Sequence, residues 1–274
     1  MYISYEHQFV QIGVPRTASV SACAALRHSD ISHETDVFCS VPEQTSGSLK
    51  KSSTALFDQH IAYFVSALGL PEDILLDRDK PTVTPAMRSN MGYGLQAAMK
   101  LDDLAKKGIL LHHLTPSHLV RLGLLTEQQL ADFNVFAFVR DPLQRWVSGQ
   151  FLVRQLGGVD QDSLAHLTNI VRSGKFRGKN PSSLVAPMMR DYFFYEGQQV
   201  ATAHHYDDVE TVVGSLIESS GGTKPSEFPQ VGVLNATPPE FRRPVADWLP
   251  ADCVTALQEY FADDIAFYNS VVSP

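Results

Sequence analysis

The stretch Phe9–Arg27, FVQIGVPRTASVSACAALR, constrains the fold of this chain more than any other. Phe9–Val14 reads as a buried strand. Pro15–Ser21 is a loop of proline, arginine and small residues, and from Ser19–Ser21 onward Ala22, Cys23, Ala24, Ala25 and Leu26 give a helical composition. Strand, small-residue loop and helix in that order predict an anion cradle. The N–H groups of a helix start have no intrahelical acceptors, and the helix dipole places about half a positive charge there. Thr17, Ser19 and Ser21 add hydroxyl donors, and Arg16 adds a permanent cation. Register argues against a nucleoside-triphosphate loop of the form G-x-x-x-x-G-K-[ST]. Counted from Gly13, Ala18, Ser19 and Val20 stand where Gly, Lys and Ser/Thr are required.

A second stretch, Asn134–Phe151 (NVFAFVRDPLQRWVSGQF), has the same logic. Val135–Val139 predicts a buried strand, and Asp141-Pro142 ends it and opens a helix whose buried side carries Leu143, Trp146, Val147 and Phe151. Arg140 stands at the strand's end and Ser148 two turns into the helix. An arginine fork suits two oxygens of a phosphate, and a serine hydroxyl supplies a short donor to a third. Asp141 is read as a helix cap, and Arg145 as either a phosphate contact or a surface partner of Asp141. Between the two stretches, Gly108–Leu114 (GILLHHL) predicts a strand ending in His112 and His113, before a helix that Thr115-Pro116 opens through Leu125. Adjacent strand residues face opposite sides, so at most one of the two histidines enters a site at that edge.

Val14–Ser21, as V-P-[KR]-T-A-S-x-S, and Arg140–Ser148, as R-[DH]-P-x-x-R-x-x-S, together resemble the cofactor motifs of sulfotransferases that use 3′-phosphoadenosine-5′-phosphosulfate (PAPS). The likeness is to the carbohydrate, heparan-sulfate-type 2-O-sulfotransferases. It implies an α/β fold, a single three-layer domain over residues 1–274, with a central parallel sheet, a P-loop-like phosphosulfate loop and helices on both faces. It implies PAPS as cofactor and 3′,5′-adenosine bisphosphate as product, with no metal. Pro15, Arg16, Thr17, Ala18, Ser19, Val20 and Ser21 would hold the phosphosulfate, and Arg140 and Ser148 the 3′-phosphate. His113, with His112 as second candidate, would be the base toward an acceptor hydroxyl, expected on a saccharide, and Arg16 would stabilise the leaving group. The family usually carries lysine where this chain has Arg16, and an arginine cannot usefully hand a proton to the leaving group. Two other readings stay open: a non-catalytic sulfotransferase-like module that binds nucleotide or glycan, and an atypical nucleotide or sugar kinase.

Composition narrows the partners. With 22 basic and 30 acidic side chains the net charge is −8, which argues against a nucleic-acid surface. The three cysteines, Cys23, Cys39 and Cys253, are scattered, which fits a reducing compartment and offers no zinc spacing. No apolar run approaches the ~20 residues of a membrane span and the N-terminus has no signal-peptide pattern, so a cytoplasmic protein is expected.

The remaining chain predicts a strand within Thr35–Val41 and a loop with Lys50 and Lys51, then helices over 53–68 and 90–107. Further helices are expected over Asp160–Ser173, after Asp207-Asp208, and over Pro250–Val271. Ser173–Ser183 is a basic loop containing Lys175, Arg177 and Lys179. Pro187–Tyr195 is an aromatic run with core character. Val200–Tyr206 predicts a late strand, with His204 and His205 read as structural.

Overall fold

The computed structural model describes residues 1–33, 35–38, 113–121, 123–157, 163–177, 188–229 and 237–272. His112, Lys50, Lys51, Lys179, the helices expected over 53–68 and 90–107, and most of Gly108–Leu114 lie outside them.

The chain opens with β1 (Tyr2–Ser4), β2 (Phe9–Gln11), α1 (Ser19–Arg27) and β3 (Val37–Phe38). Next come α2 (Pro116–Arg121), α3 (Glu127–Asp132), β4 (Asn134–Val139), α4 (Pro142–Gly157) and α5 (Ser163–Arg172). A small hairpin of β5 (Phe194–Tyr195) and β6 (Gln198–Gln199) precedes β7 (Thr202–His205). Three helices follow, α6 (Val209–Ser219), α7 (Ala251–Tyr260) and α8 (Ala262–Val272).

The class is α/β, but the sheet is mixed. Its order is β3-β1-β2-β4-β7. β2, β4 and β7 run parallel, with Val10 opposite Val135 and Ala137 opposite Ala203, whereas β1 is antiparallel to both of its neighbours. The expected purely parallel sheet is therefore corrected by a strand the sequence reading missed. β1 and β2 form a hairpin, and Gln8 at its turn takes a left-handed φ of 53°. Tyr2 anchors β1 by donating its hydroxyl to Asp36 Oδ2 at 2.5 Å. The ordered strand also stops at Gln11 rather than Val14, although Ile12 N–H still donates to Phe136 O at 2.9 Å.

Alternation along the strands assigns the two faces. Ile3, Val10, Ile12, Val135, Ala137 and Val139 pack with Leu119 of α2, Leu130 of α3 and Phe267 of α8. Tyr2, Phe9, Phe136 and Phe138 point the other way, against Ala22, Cys23, Ala25 and Leu26 of α1 and Val213 and Ile217 of α6. With both faces covered, β4 reads as one continuous apolar run. Each of these large side chains contributes about 1.5–3 kcal/mol through its burial. A third cluster joins Trp146 and Val147 of α4 to Leu167 and Val171 of α5 and Leu257 of α7.

The single helix expected over Pro250–Val271 is two, α7 and α8, meeting at Phe261. Among the described residues no helix is long and apolar enough to cross a membrane.

Candidate anion site

Because β2, β4 and β7 are parallel, the segments leaving them emerge at one edge of the sheet: the Pro15–Ala18 turn, Arg140, and Tyr206. Open α/β sheets place ligands at this edge. The Pro15–Ala18 turn is strained in a specific way. Arg16 and Ala18 both have left-handed backbones, with φ of 66° and 57°. Each such non-glycine residue costs on the order of 1 kcal/mol, and strain of this kind concentrates at functional sites.

Two side chains hold the turn. Thr17 Oγ1 and Ser19 Oγ each donate to Val14 O at 3.0 Å. Both are buried, so these hydroxyls brace the loop rather than reach outward as the sequence reading expected. Ala18 caps α1 without a side-chain hydrogen bond, and Ala22 N–H to Ala18 O, at 3.1 Å, is the helix's first bond. The amides of Ser19, Val20 and Ser21 precede that bond, and Pro15 brings no amide proton of its own.

Arg16 crosses from the turn to α4. Its Nε and Nη2 donate to Ser148 Oγ at 3.0 and 2.9 Å, and Ser148 is 1 % exposed. Arg140 reaches the same turn through Nη1, 3.5 Å from Arg16 O, and lies over the Tyr206 ring with its guanidinium carbon 4.9 Å from the centroid. Its Nε is buried without a hydrogen-bond partner. The Pro15–Ser21 loop is thus brought together with Arg140 and Ser148, more than a hundred residues further along the chain. Tyr206 was missed by the sequence reading, although its place just after a strand parallel to β4 was a usable signal.

Electrostatics give the site its sign. Burial, then the neighbouring Arg140, pulls the Arg16 guanidinium down to about 10. Burial also lowers Arg140, while Tyr206, Asp141 and Asp207 favour its charge and Arg242 opposes it. Among the described residues no carboxylate lies within ion-pair distance of Arg140. Asp141 is engaged as a cap, accepting from Gln144 N–H at 2.8 Å, as the sequence predicted. Cations crowded this way are stabilised by an anion.

His113 is buried against Gly13, in a helical turn rather than the expected strand end. Its Nδ1 is 2.5 Å from Gly13 O. A carbonyl only accepts, so Nδ1 carries a proton, and whenever the ring is neutral its lone pair sits on Nε2, the form a general base requires.

Arg145 is neither of the things expected of it. It is fully buried and pairs with Asp264 of α8 at 3.1 Å, away from Asp141. Phe176 packs with the α4, α5 and α7 cluster, while Lys175 and Arg177 beside it are exposed, Arg177 lying over the Phe176 ring at 5.2 Å. Tyr192 and Phe193 of the aromatic run are core residues. His205 Nε2 lies 3.1 Å from Tyr268 Oη, in an open cleft of about 480 Å³ beside β7 that His204 and Asp208 also line. Among the described residues no group of three His, Cys, Asp or Glu side chains is placed to hold a metal ion.

No protein-family model, curated protein or solved structure matches the chain.

Proposed function

We propose that this protein is a PAPS-dependent sulfotransferase whose acceptor is a hydroxyl, on a saccharide by the motif resemblance. The observation that carries the reading is the convergence of Arg16, Arg140 and Ser148 on one edge of the sheet, beside the start of α1. In this reading the Pro15–Ser21 turn is the P-loop-like element of a three-layer α/β domain. The acceptor oxygen attacks sulfur in line and the new O–S bond forms as the bridging S–O bond breaks. The electron pair stays on the 5′-phosphate oxygen of 3′,5′-adenosine bisphosphate. His113 Nε2 takes the acceptor's proton, the role a neutral imidazole serves in general-base catalysis. Arginine at position 16 acts by charge and hydrogen bonds alone.

The test is thermal stabilisation of the full chain by 3′,5′-adenosine bisphosphate against ADP and AMP, with and without Mg²⁺, followed by transfer of labelled sulfate from PAPS to a saccharide panel. A ligand at 100 times its Kd adds about 2.7 kcal/mol. Selective stabilisation by the 3′-phosphorylated nucleotide, lost in Arg140→Ala, supports the cofactor. Equal stabilisation by ADP, or a requirement for Mg²⁺, points to the kinase reading. Selective stabilisation with no transfer to any acceptor points to a binding module.

A further inference from the structure

Resting on the sulfotransferase reading, we infer that Arg16 grips the same phosphate as Arg140 and Ser148, so that a two-arginine clamp reads the nucleotide's 3′-phosphate and the loop offers no side-chain cation to the transferring sulfuryl group.

The argument begins with direction. A left-handed backbone at Arg16 turns its side chain across the sheet edge to α4, where both Nε and Nη2 engage Ser148 Oγ. Ser148 accepts in both contacts, which leaves its own hydroxyl proton for a ligand oxygen. The Arg140 guanidinium, meanwhile, reaches back to the carbonyl of Arg16. The two guanidiniums therefore meet at one turn, Arg16 leaving it for Ser148 and Arg140 reaching it at the Arg16 carbonyl, rather than forming the poles of an extended nucleotide site.

Charge matching then selects the ligand group. A terminal phosphomonoester carries −1.5 to −2 charges near pH 7 on three oxygens, with a second pKa of about 6. The phosphate and the sulfate of a phosphosulfate each carry only one. Two permanent cations, with a buried Arg140 Nε still lacking an acceptor, fit the former. Arg242, whose Nε donates to Thr237 O at 2.7 Å, adds a further positive field at Arg140. Stabilisation of the leaving group then falls to the amides at the start of α1.

Calorimetric titration of the full chain with 3′,5′-adenosine bisphosphate and with 5′-AMP tests this, for the wild type, Arg16→Gln, Arg16→Lys and Arg140→Gln. The readout is the affinity ratio of the two nucleotides. Loss of a charge-assisted donor to the 3′-phosphate should lower that ratio at least about tenfold in both glutamine variants. Arg16→Lys, which keeps a charge without the fork, should fall between Arg16→Gln and the wild type, and it serves if the glutamine variant does not fold. A wild-type ratio retained in Arg16→Gln, or in Arg16→Lys alongside a changed turnover, overturns the clamp and returns Arg16 to the sulfuryl group. A wild type with no preference between the nucleotides overturns the sulfotransferase reading itself, which is a different result.

Discussion

Arg145 and Asp264 form an ion pair 3.1 Å long in which neither side chain is exposed to solvent. Asp264 also accepts from the backbone N–H groups of Met189 and Arg190, at 2.8 and 3.0 Å, so one carboxylate ties α4, α8 and the 189–190 segment together. Burial lowers the pKa of Arg145 and Asp264 opposes that only in part, while Nε and Nη1 of Arg145 are buried without partners. Removing the carboxylate strands a buried cation. Asp264→Ala should lower the unfolding free energy in urea by about 3–5 kcal/mol, the cost typical of breaking a buried pair. A loss below about 1 kcal/mol would show that the pair is not what joins these segments.

His113 offers a way to separate loop support from chemistry. Its Nδ1 proton is donated to Gly13 O, immediately before the strained turn. Asparagine places an amide N–H in a comparable position but has no basic lone pair near neutral pH. If the protein is the proposed sulfotransferase, His113→Asn should therefore keep nucleotide affinity within a few fold while turnover falls about 10²–10⁴-fold, the usual contribution of a general base. His113→Ala should lose turnover and also weaken nucleotide binding. Turnover of His113→Asn close to that of the wild type would exclude this imidazole as the base.

The cations at the sheet edge carry a stability cost in the protein without its ligand. Arg16 is held down to about 10, first by burial and then by Arg140. A base whose pKa is lower in the folded than in the unfolded chain binds its proton less firmly when folded. Its charge therefore disfavours folding at neutral pH, and stability would recover between about pH 10 and the ordinary arginine value. Arg16→Gln should accordingly raise the unfolding free energy of the ligand-free protein by about 1 kcal/mol and abolish the added stability conferred by inorganic sulfate. A variant less stable than the wild type, yet still stabilised by sulfate, would mean that Arg16 braces the turn rather than serving an anion.

The parts of this architecture that the sequence displayed are those set by local pattern. Val135–Val139 was legible because burial on both faces writes a continuous apolar run, and Asp141-Pro142 because capping chemistry is confined to neighbouring residues. β1 escaped because three residues, Tyr2–Ser4, carry too little periodicity, although two short β-prone runs around Tyr5–Gln8 were a hairpin signal. Arg145 was misplaced for a different reason. Its partner lies 119 residues away, a distance no local pattern spans. The break at Phe261 has neither glycine nor proline to announce it, and only Asp263 and Asp264, acidic residues suited to a first helical turn, hinted at the start of α8. In the candidate site, the residue types were legible from the two motifs. The inward turn of Thr17 and Ser19 and the crossing of Arg16 to Ser148 depend on backbone angles that residue identity does not fix.

His204 supplies a pH dependence with a definite sign. On β7 its ring lies edge-on to Phe136, 73° between planes, and is tilted against Phe138, with centroids 6.2 Å away in both cases. Burial lowers its pKa from the ordinary 6.5, and Asp208 opposes the shift without cancelling it. The folded state thus prefers the neutral imidazole, and the unfolded chain binds more protons below pH 6.5. The stability contributed by neutral His204 is present above that value and is lost as the pH falls through it, with a slope of at most about 1.4 kcal/mol per pH unit. Phenylalanine retains the aromatic packing and cannot protonate. Urea unfolding of His204→Phe should therefore match the wild type most closely near pH 7.5 and exceed it increasingly toward pH 5. Parallel curves for the two proteins over that range would show that the ring titrates alike in the folded and unfolded states, and that its contact with Phe136 and Phe138 does not depend on charge.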